Sequence, residues 1–91
     1  MEMRGIITVV GKDRVGIIAK VCTLLSERQI NILDISQTIV QGFFNMMMIV
    51  DLSNSTENFE KNEEDLKNLG NEIGVVIKLQ REEIFNSMHR I

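Results

Sequence analysis

The sequence predicts an α+β fold, a ferredoxin-like βαββαβ sandwich in which two helices cover one face of a four-stranded antiparallel sheet, with a short helix closing the chain. Three observations predict it. Strand-length apolar runs and helix-length amphipathic runs alternate in the order strand, helix, strand, strand, helix, strand, which is two split βαβ units. The two middle strand runs are joined by Gln41-Gly42, a hairpin signal because glycine supplies a positive φ without steric cost. No Pro/Gly/Ser-rich linker or low-complexity tract divides the 91 residues, so they read as one domain with its core at about 3–80.

Taken in order, the first strand is predicted at Met3–Val10, where Ile6, Ile7, Val9 and Val10 make both faces apolar. A helix is predicted over Arg14–Arg28, with Ile18, Val21, Cys22 and Leu25 at helical spacing and Ile17 and Leu24 widening the stripe. Asn31–Gln41 is a strand by alternation: Leu33, Ile35, Gln37 and Ile39 on one face, Ile32, Asp34, Ser36, Thr38 and Val40 on the other. Phe43–Leu52 returns as the second arm of the hairpin. Ser53-Asn54-Ser55-Thr56 reads as a loop ending in a helix cap, with Glu57 in the first turn. The helix that follows shows only Phe59, Leu66 and Leu69 on its apolar side, and Gly70 is its expected stop. Ile73–Gln80 is the last strand, with Ile73, Val75, Ile77 and Leu79 on one face. A closing helix is expected over about 82–90, with Ile84, Phe85 and Met88 on one side.

This element order places the first and third strands centrally, and both are apolar on both sides. Ile6, Val10, Met47 and Ile49 oppose Ile7, Val9, Met46 and Met48. Strands apolar on both sides call for burial on both sides, and the closing helix is short, so a homodimer or higher oligomer is the expected cover for the second sheet face.

Composition excludes several classes of function. Apolar content of 44% rules out disorder, and with four Phe and no Trp or Tyr the core falls to Ile, Val, Leu and Met. The formal net charge of −3, with basic residues scattered singly, gives no stripe to offset a phosphate backbone, so no nucleic-acid partner is expected. No apolar run approaches the ~20 residues of a membrane span, and Glu2 and Arg4 interrupt any signal-peptide pattern. A cytoplasmic location without membrane contact is the expectation. Cys22 is the single cysteine and His89 the single histidine, which leaves no disulfide, no cysteine zinc cluster and no histidine metal site. Cys22 falls on the apolar stripe of the first helix, a structural thiol rather than a nucleophile. Met46, Met47 and Met48 alternate faces in a strand, so they fill core and interface instead of ligating one soft metal. Gly11 and Gly16 do not open a phosphate loop, because Gly16 is followed by Ile17-Ile18 where Lys-Ser/Thr is required. No catalytic set and no cofactor are expected.

What remains is the run Val9-Val10-Gly11-Lys12-Asp13-Arg14-Val15-Gly16-Ile17-Ile18, an apolar strand that feeds a Gly/Asp loop opening onto a helix. Asp13 is expected to cap that helix by accepting a backbone N–H of its first turn, and the two glycines allow a tight turn. Exposed N–H groups at a helix start, beside a strand end, form a place where a carboxylate docks. The same residues also have purely architectural explanations: Asp13 as cap, Gly16 as turn, and Asn31 as the opening of a strand.

The run Thr8-Val9-Val10-Gly11-Lys12-Asp13-Arg14-Val15-Gly16-Ile17-Ile18-Ala19, then Asn31-Ile32, then Phe44-Asn45-Met46, resembles an ACT domain over about residues 3–80. The length, the Asp34-Ile35-Ser36-Gln37 strand and the Ile84-Phe85 tail resemble the small stand-alone ACT proteins of uncharacterised function. The resemblance implies a regulatory, non-catalytic module that binds an amino acid against the first strand–helix loop, often at a subunit interface. Carried onto this sequence, the ligand residues are Asp13, Arg14, Val15, Gly16 and Asn31, the last from the same or a neighbouring subunit, with Gly11 and Lys12 flanking them. Many family loops read Asp-Arg-Pro-Gly, and Val15 stands here in place of that proline, which makes the loop less rigid. No enzyme or transporter domain accompanies the module, so a regulated enzyme or regulator would be met in trans. The alternative is a module for dimerisation or protein docking that binds no small ligand.

Overall fold

The computed structural model describes residues 3–12 and 15–82. Its elements are β1 (Arg4–Lys12), α1 (Ile17–Glu27), β2 (Asn31–Val40), β3 (Phe43–Asp51), α2 (Phe59–Ile73) and β4 (Val75–Arg81). They form the expected βαββαβ arrangement, one antiparallel sheet in the order β2-β3-β1-β4. The closing helix expected over 82–90 lies almost wholly outside the described residues.

β1 and β3 are central, and their alternation divides the sheet into the two predicted faces. Ile7 and Val9 of β1, Phe44, Met46, Met48 and Val50 of β3, and Val75, Ile77 and Leu79 of β4 are buried in one core with Ile17, Val21 and Leu25 of α1 and Leu66 of α2. On the other face Ile6 is buried, while Val10, Phe43, Met47 and Val76 are exposed. Met46 and Met48 therefore fill the core and Met47 faces away from it, as strand geometry requires. Cys22 packs half-buried against the edge of the core.

Several boundaries differ from the sequence reading, each for a local reason. β1 runs two residues further, through Gly11 and Lys12. Gly11 is thus a strand residue: a Cβ there would lie 2.7 Å from Val75 Cγ1, so its missing side chain serves the close approach of β4. The alternation of β2 breaks at a bulge between Ile32 and Asp34, which leaves Leu33 as the extra residue. Ile32 consequently shares the core-facing side with Ile35, Gln37 and Ile39. The hairpin turn forms at Gln41-Gly42, with φ of 53° and 82°, the pattern of a type I′ turn.

α1 ends in a Schellman-type stop without glycine. Gln29 takes a φ of 57°, its N–H donates to Ser26 O (3.1 Å), and Ile30 N–H donates to Leu25 O (2.9 Å). α2 is capped by Asn58, whose Oδ1 accepts from Lys61 N–H (2.8 Å), and Glu57 precedes the helix. Gly70 does not stop α2. It sits inside the helix, buried, and a Cβ there would meet the Val75 carbonyl oxygen at 2.7 Å. The stop is Gly74, with a φ of 82°. Ile73 consequently ends α2 and β4 begins at Val75.

The helix is also less lightly held than its three apolar residues suggest. Asn62, 2% exposed, joins Leu66 and Gly70 on the buried stripe. Arg28, at the end of α1, donates to Asn62 Oδ1 (3.1 Å) and pairs with Asp65; Asn62 Nδ2 donates to Ser55 Oγ (2.8 Å). Lys61 Nζ lies 3.2 Å from the other Asp65 oxygen. The Arg28 guanidinium, and after it Lys61, hold the Asp65 carboxyl below the ordinary carboxylate range. Asp65 thus fastens one helix to the other.

Candidate functional site

The first strand–helix junction differs from its expected form in one respect that matters for chemistry. α1 begins at Ile17, not Arg14, and its N-cap is Gly16, not Asp13. Gly16 has φ 92° and ψ 0°, a left-handed conformation that cannot continue a helix, so the helix starts at the next residue. No described side chain caps it. The first backbone bond of the helix runs from Lys20 N–H to Gly16 O (3.0 Å). The N–H groups of Ile17, Ile18 and Ala19 precede it, and within an α-helix such groups have no partner.

Around this start lies a small cleft of about 230 Å³ lined by Val15, Gly16, Ile17, Lys20, Glu72 and Ile73. Among the described residues, chain neighbours aside, nothing stands within 4 Å of the place a Gly16 Cβ would take, which leaves room there for an approaching molecule. Val15 is fully exposed, and Ile17 is buried and anchors the helix to the core. Lys20 follows one turn into α1, and Glu72 and Ile73 come from the last turn of α2. The lining thus brings together the start of α1, a lysine, Lys20, and a carboxylate residue, Glu72. Lys20 and Glu72 were not among the residues singled out in the sequence. Lys20 was legible there, as a cation one turn beyond Gly16. Nothing in the sequence pointed to Glu72, which arrives only because α2 packs alongside α1.

The other expected site residues are placed as follows. Gly11 and Lys12 end β1, paired with Phe44 and Phe43. Asp13 and Arg14 lie outside the described residues. Asn31 opens β2 opposite Asp51, which itself pairs with Arg4 at the start of β1. The Asp51 carboxyl beside it is held below the usual range, first by the Ser53 hydroxyl (2.7 Å) and then by the Ser53 N–H (3.0 Å). Asn31 and Lys12 therefore lie at opposite ends of the sheet, roughly 25 Å apart at ~3.3 Å per strand residue. Within one chain Asn31 does not meet the described residues of the Gly11–Gly16 loop; only a second copy could bring an Asn31 to that end.

Comparison with known proteins settles the family. The ACT domain model matches residues 5–80. The chain belongs to the ACT domain family. It is 60% identical to a UPF0237 protein of Bifidobacterium longum, over 97% of this chain and 98% of that protein. Among solved structures it is similar to an ACT domain protein from Streptococcus pneumoniae, with 39% identity, a TM-score of 0.81, and 93% and 96% of the two chains covered. It is also similar to a putative glycine cleavage system transcriptional repressor, 27% identical with a TM-score of 0.77, over 89% of this chain and 46% of that one. ACT domains in general are regulatory small-molecule binding modules that often oligomerise. Among the described residues of this one, no group of three or more His, Cys, Asp or Glu is placed to hold a metal, and no helix is long and apolar enough to cross a membrane.

Proposed function

We propose that this ACT-domain protein is a non-catalytic regulatory protein of the cytoplasm that binds an amino acid and acts as a homodimer or higher homo-oligomer, on an enzyme or regulator in trans. The observation that carries the ligand is the cleft at Gly16. An α-carboxylate suits the backbone N–H groups at the start of α1, where the helix dipole and Lys20 both favour negative charge. An α-ammonium suits Glu72, which also lines the cleft, and Asp13 supplies a second carboxylate from the loop. Gly16 leaves room for the backbone to be approached, and Ile73 offers an apolar surface to a side chain. The cleft is smaller than the ~300–1,000 Å³ of drug-sized sites, which suits a molecule of few atoms. Asn31 fits the same site as a contribution from a second subunit.

The test is a thermal-shift screen of the full chain against the twenty amino acids at millimolar concentration, with Asp13→Ala and Glu72→Gln beside it. Ligand at 100 times its dissociation constant adds about 2.7 kcal/mol, a rise of roughly 10 °C or more for a domain of this size. The expected result is a shift with one amino acid or a small set, reduced in both variants at unchanged oligomeric state. A flat screen would overturn ligand binding and leave the reading as a dimerisation or protein-docking module.

A further inference from the structure

α2 and the outer edge of β4 touch at one point and part beyond it. They touch at Gly70, where a Cβ would lie 2.7 Å from the Val75 carbonyl oxygen and 3.2 Å from Ile77 N. Toward the start of α2 a groove of about 690 Å³ lies between them. Its helix wall is Glu60, Glu63, Glu64 and Lys67, and the strand opposite contributes the unbroken run 76–80. The wall residues fall at i, i+3, i+4 and i+7, one stripe of the helix, ~10 Å long. Consecutive strand residues point to both faces of the sheet, so what the run 76–80 shares is its edge, ~13 Å of it.

That edge carries usable backbone groups. β4 ends the strand order, so no described strand pairs with its outer side. Leu52 N–H donates to Met3 O (2.7 Å), which turns Met3, and by alternation Ile7 and Val9, toward β3. Thr8 and Val10 therefore face β4, opposite Lys78 and Val76. By the same alternation Ile77 and Leu79 direct their N–H and C=O groups outward, along the groove. Gly70 crowds the Ile77 N–H, and the Ile77 C=O and both groups of Leu79 lie beyond that contact. The charge of the wall is one-sided. Glu60, Glu63 and Glu64 make no ion pair among the described residues. Of the nearby cations, Lys61 is engaged by Asp65 (3.2 Å) and Arg81 lies over the Phe59 ring, 4.4 Å from its centroid.

We propose that this groove docks an extended segment of a protein partner, with lysine or arginine at every second position, as a fifth strand antiparallel to β4. This rests on the part of the functional reading in which the protein acts on an enzyme or regulator in trans, and it is independent of the amino-acid ligand. Strand addition takes its affinity from main-chain bonds and its specificity from what meets the alternate side chains. Residues of the added strand opposite Ile77 and Leu79 point to the helix side, where the three glutamates stand, so those positions take the cations. The residues between them lie on the far face beside Val76, which is 58% exposed, and take apolar side chains. Antiparallel pairing continues the rest of the sheet and turns the N–H and C=O groups of the cationic residues toward β4. About three backbone hydrogen bonds then form, to the Ile77 C=O and to both groups of Leu79.

The probe is a fluorescein-labelled peptide, Lys-Val-Lys-Val-Lys-Val-Lys, titrated with the full chain and read by fluorescence anisotropy, with Glu-Val-Glu-Val-Glu-Val-Glu as the charge control. Saturable binding of the lysine peptide, weakened by salt, is expected, and none of the glutamate peptide. The triple variant Glu60→Gln, Glu63→Gln, Glu64→Gln changes three exposed positions. It should bind about tenfold more weakly, with an unchanged circular dichroism spectrum. Backbone methylation of the peptide separates strand pairing from simple charge attraction. Methyl groups on the backbone nitrogens of the lysines block the bonds to β4 and are expected to abolish binding. On the valines the same groups point away from β4 and leave binding unchanged. A lysine peptide that does not bind, or two methylated peptides that bind as well as the parent, refutes the docking surface. Loss on valine methylation alone refutes the antiparallel pairing. The Gly16 cleft is judged separately: peptide binding with a flat amino-acid screen sinks the ligand reading alone, and the reverse result sinks this surface alone.

Discussion

Replacing Gly70 with alanine sets two physical effects against each other, and the structure decides between them. In a helix interior alanine is favoured over glycine by about 1 kcal/mol, so a reader of propensity alone expects Gly70→Ala to stabilise α2. The added Cβ would lie 2.7 Å from the Val75 carbonyl oxygen, 3.1 Å from Ile77 Cγ1 and 3.2 Å from Ile77 N. Two of these atoms belong to the backbone of β4, which is bonded along β1 and cannot swing aside as a side chain would. Relief requires α2 to lift from the strand by a few tenths of an ångström along its length, loosening Leu66, which is 1% exposed. Overpacking of this kind costs about 1–3 kcal/mol, which exceeds the gain in propensity. The expected result is a net loss of about 1 kcal/mol, near 4–8 °C in Tm for a domain of 60–100 residues. Urea and thermal unfolding of both proteins at one fixed concentration measure it, since the stability of the proposed homo-oligomer would depend on concentration. A Gly70→Ala protein as stable as wild type, or more so, would refute the reasoning and show that α2 is free to move off β4. That outcome would also unsettle the cleft, because Glu72 and Ile73 lie in the same last turn.

Two other outcomes follow from the same geometry. Asp65 is held below its ordinary value near 3.8 by Arg28 and Lys61, so the fastening it makes is fully present above that pH and is lost as pH falls through the lowered value. Asp65→Asn is therefore expected to lower stability at neutral pH and to flatten the acid limb of the stability curve below about pH 4, read by urea midpoints from pH 2 to 7; an unchanged acid limb would discount the pair. Gln29 holds a left-handed conformation that costs a non-glycine residue about 1–2 kcal/mol. Gln29→Gly should raise stability by about 0.5–1 kcal/mol, once the greater freedom of glycine in the unfolded chain is subtracted, and a fall in Tm would contradict the Schellman geometry.

How far the fold was legible depends on how local its causes are. Element order, the hairpin at Gln41-Gly42, the central position of β1 and β3 and the opposite facing of Met46 and Met47 are set by hydrophobic period and turn chemistry, which act over a few residues. Gly70 and Gly74 show where that reasoning ends. Both are glycines near the end of an amphipathic run, and only the approach of β4 tells which one ends the helix and which one lets the strand come close. Gln29 is a similar case: a left-handed stop without glycine is held by Ile30 entering the core, which composition does not announce. Nothing local in the sequence marks Asn62 or Asp65, because their partner Arg28 stands more than thirty residues earlier.

The candidate site divides along the same line. The loop residues Gly11, Lys12, Asp13, Arg14, Val15 and Gly16 were found in the sequence because they are contiguous and chemically unusual. Their surroundings were not, since Glu72 and Ile73 reach the cleft only through helix packing and Asn31 is carried to the far end of the sheet by the parallel course of β1 and β2. The sequence by itself determined the family, the order of the elements and the loop where chemistry is concentrated, because these are written in neighbouring residues. Tertiary structure alone decided which charges share a cleft, which glycine is a stop and which strand edge is left open, because each depends on residues far apart in the chain meeting in one place.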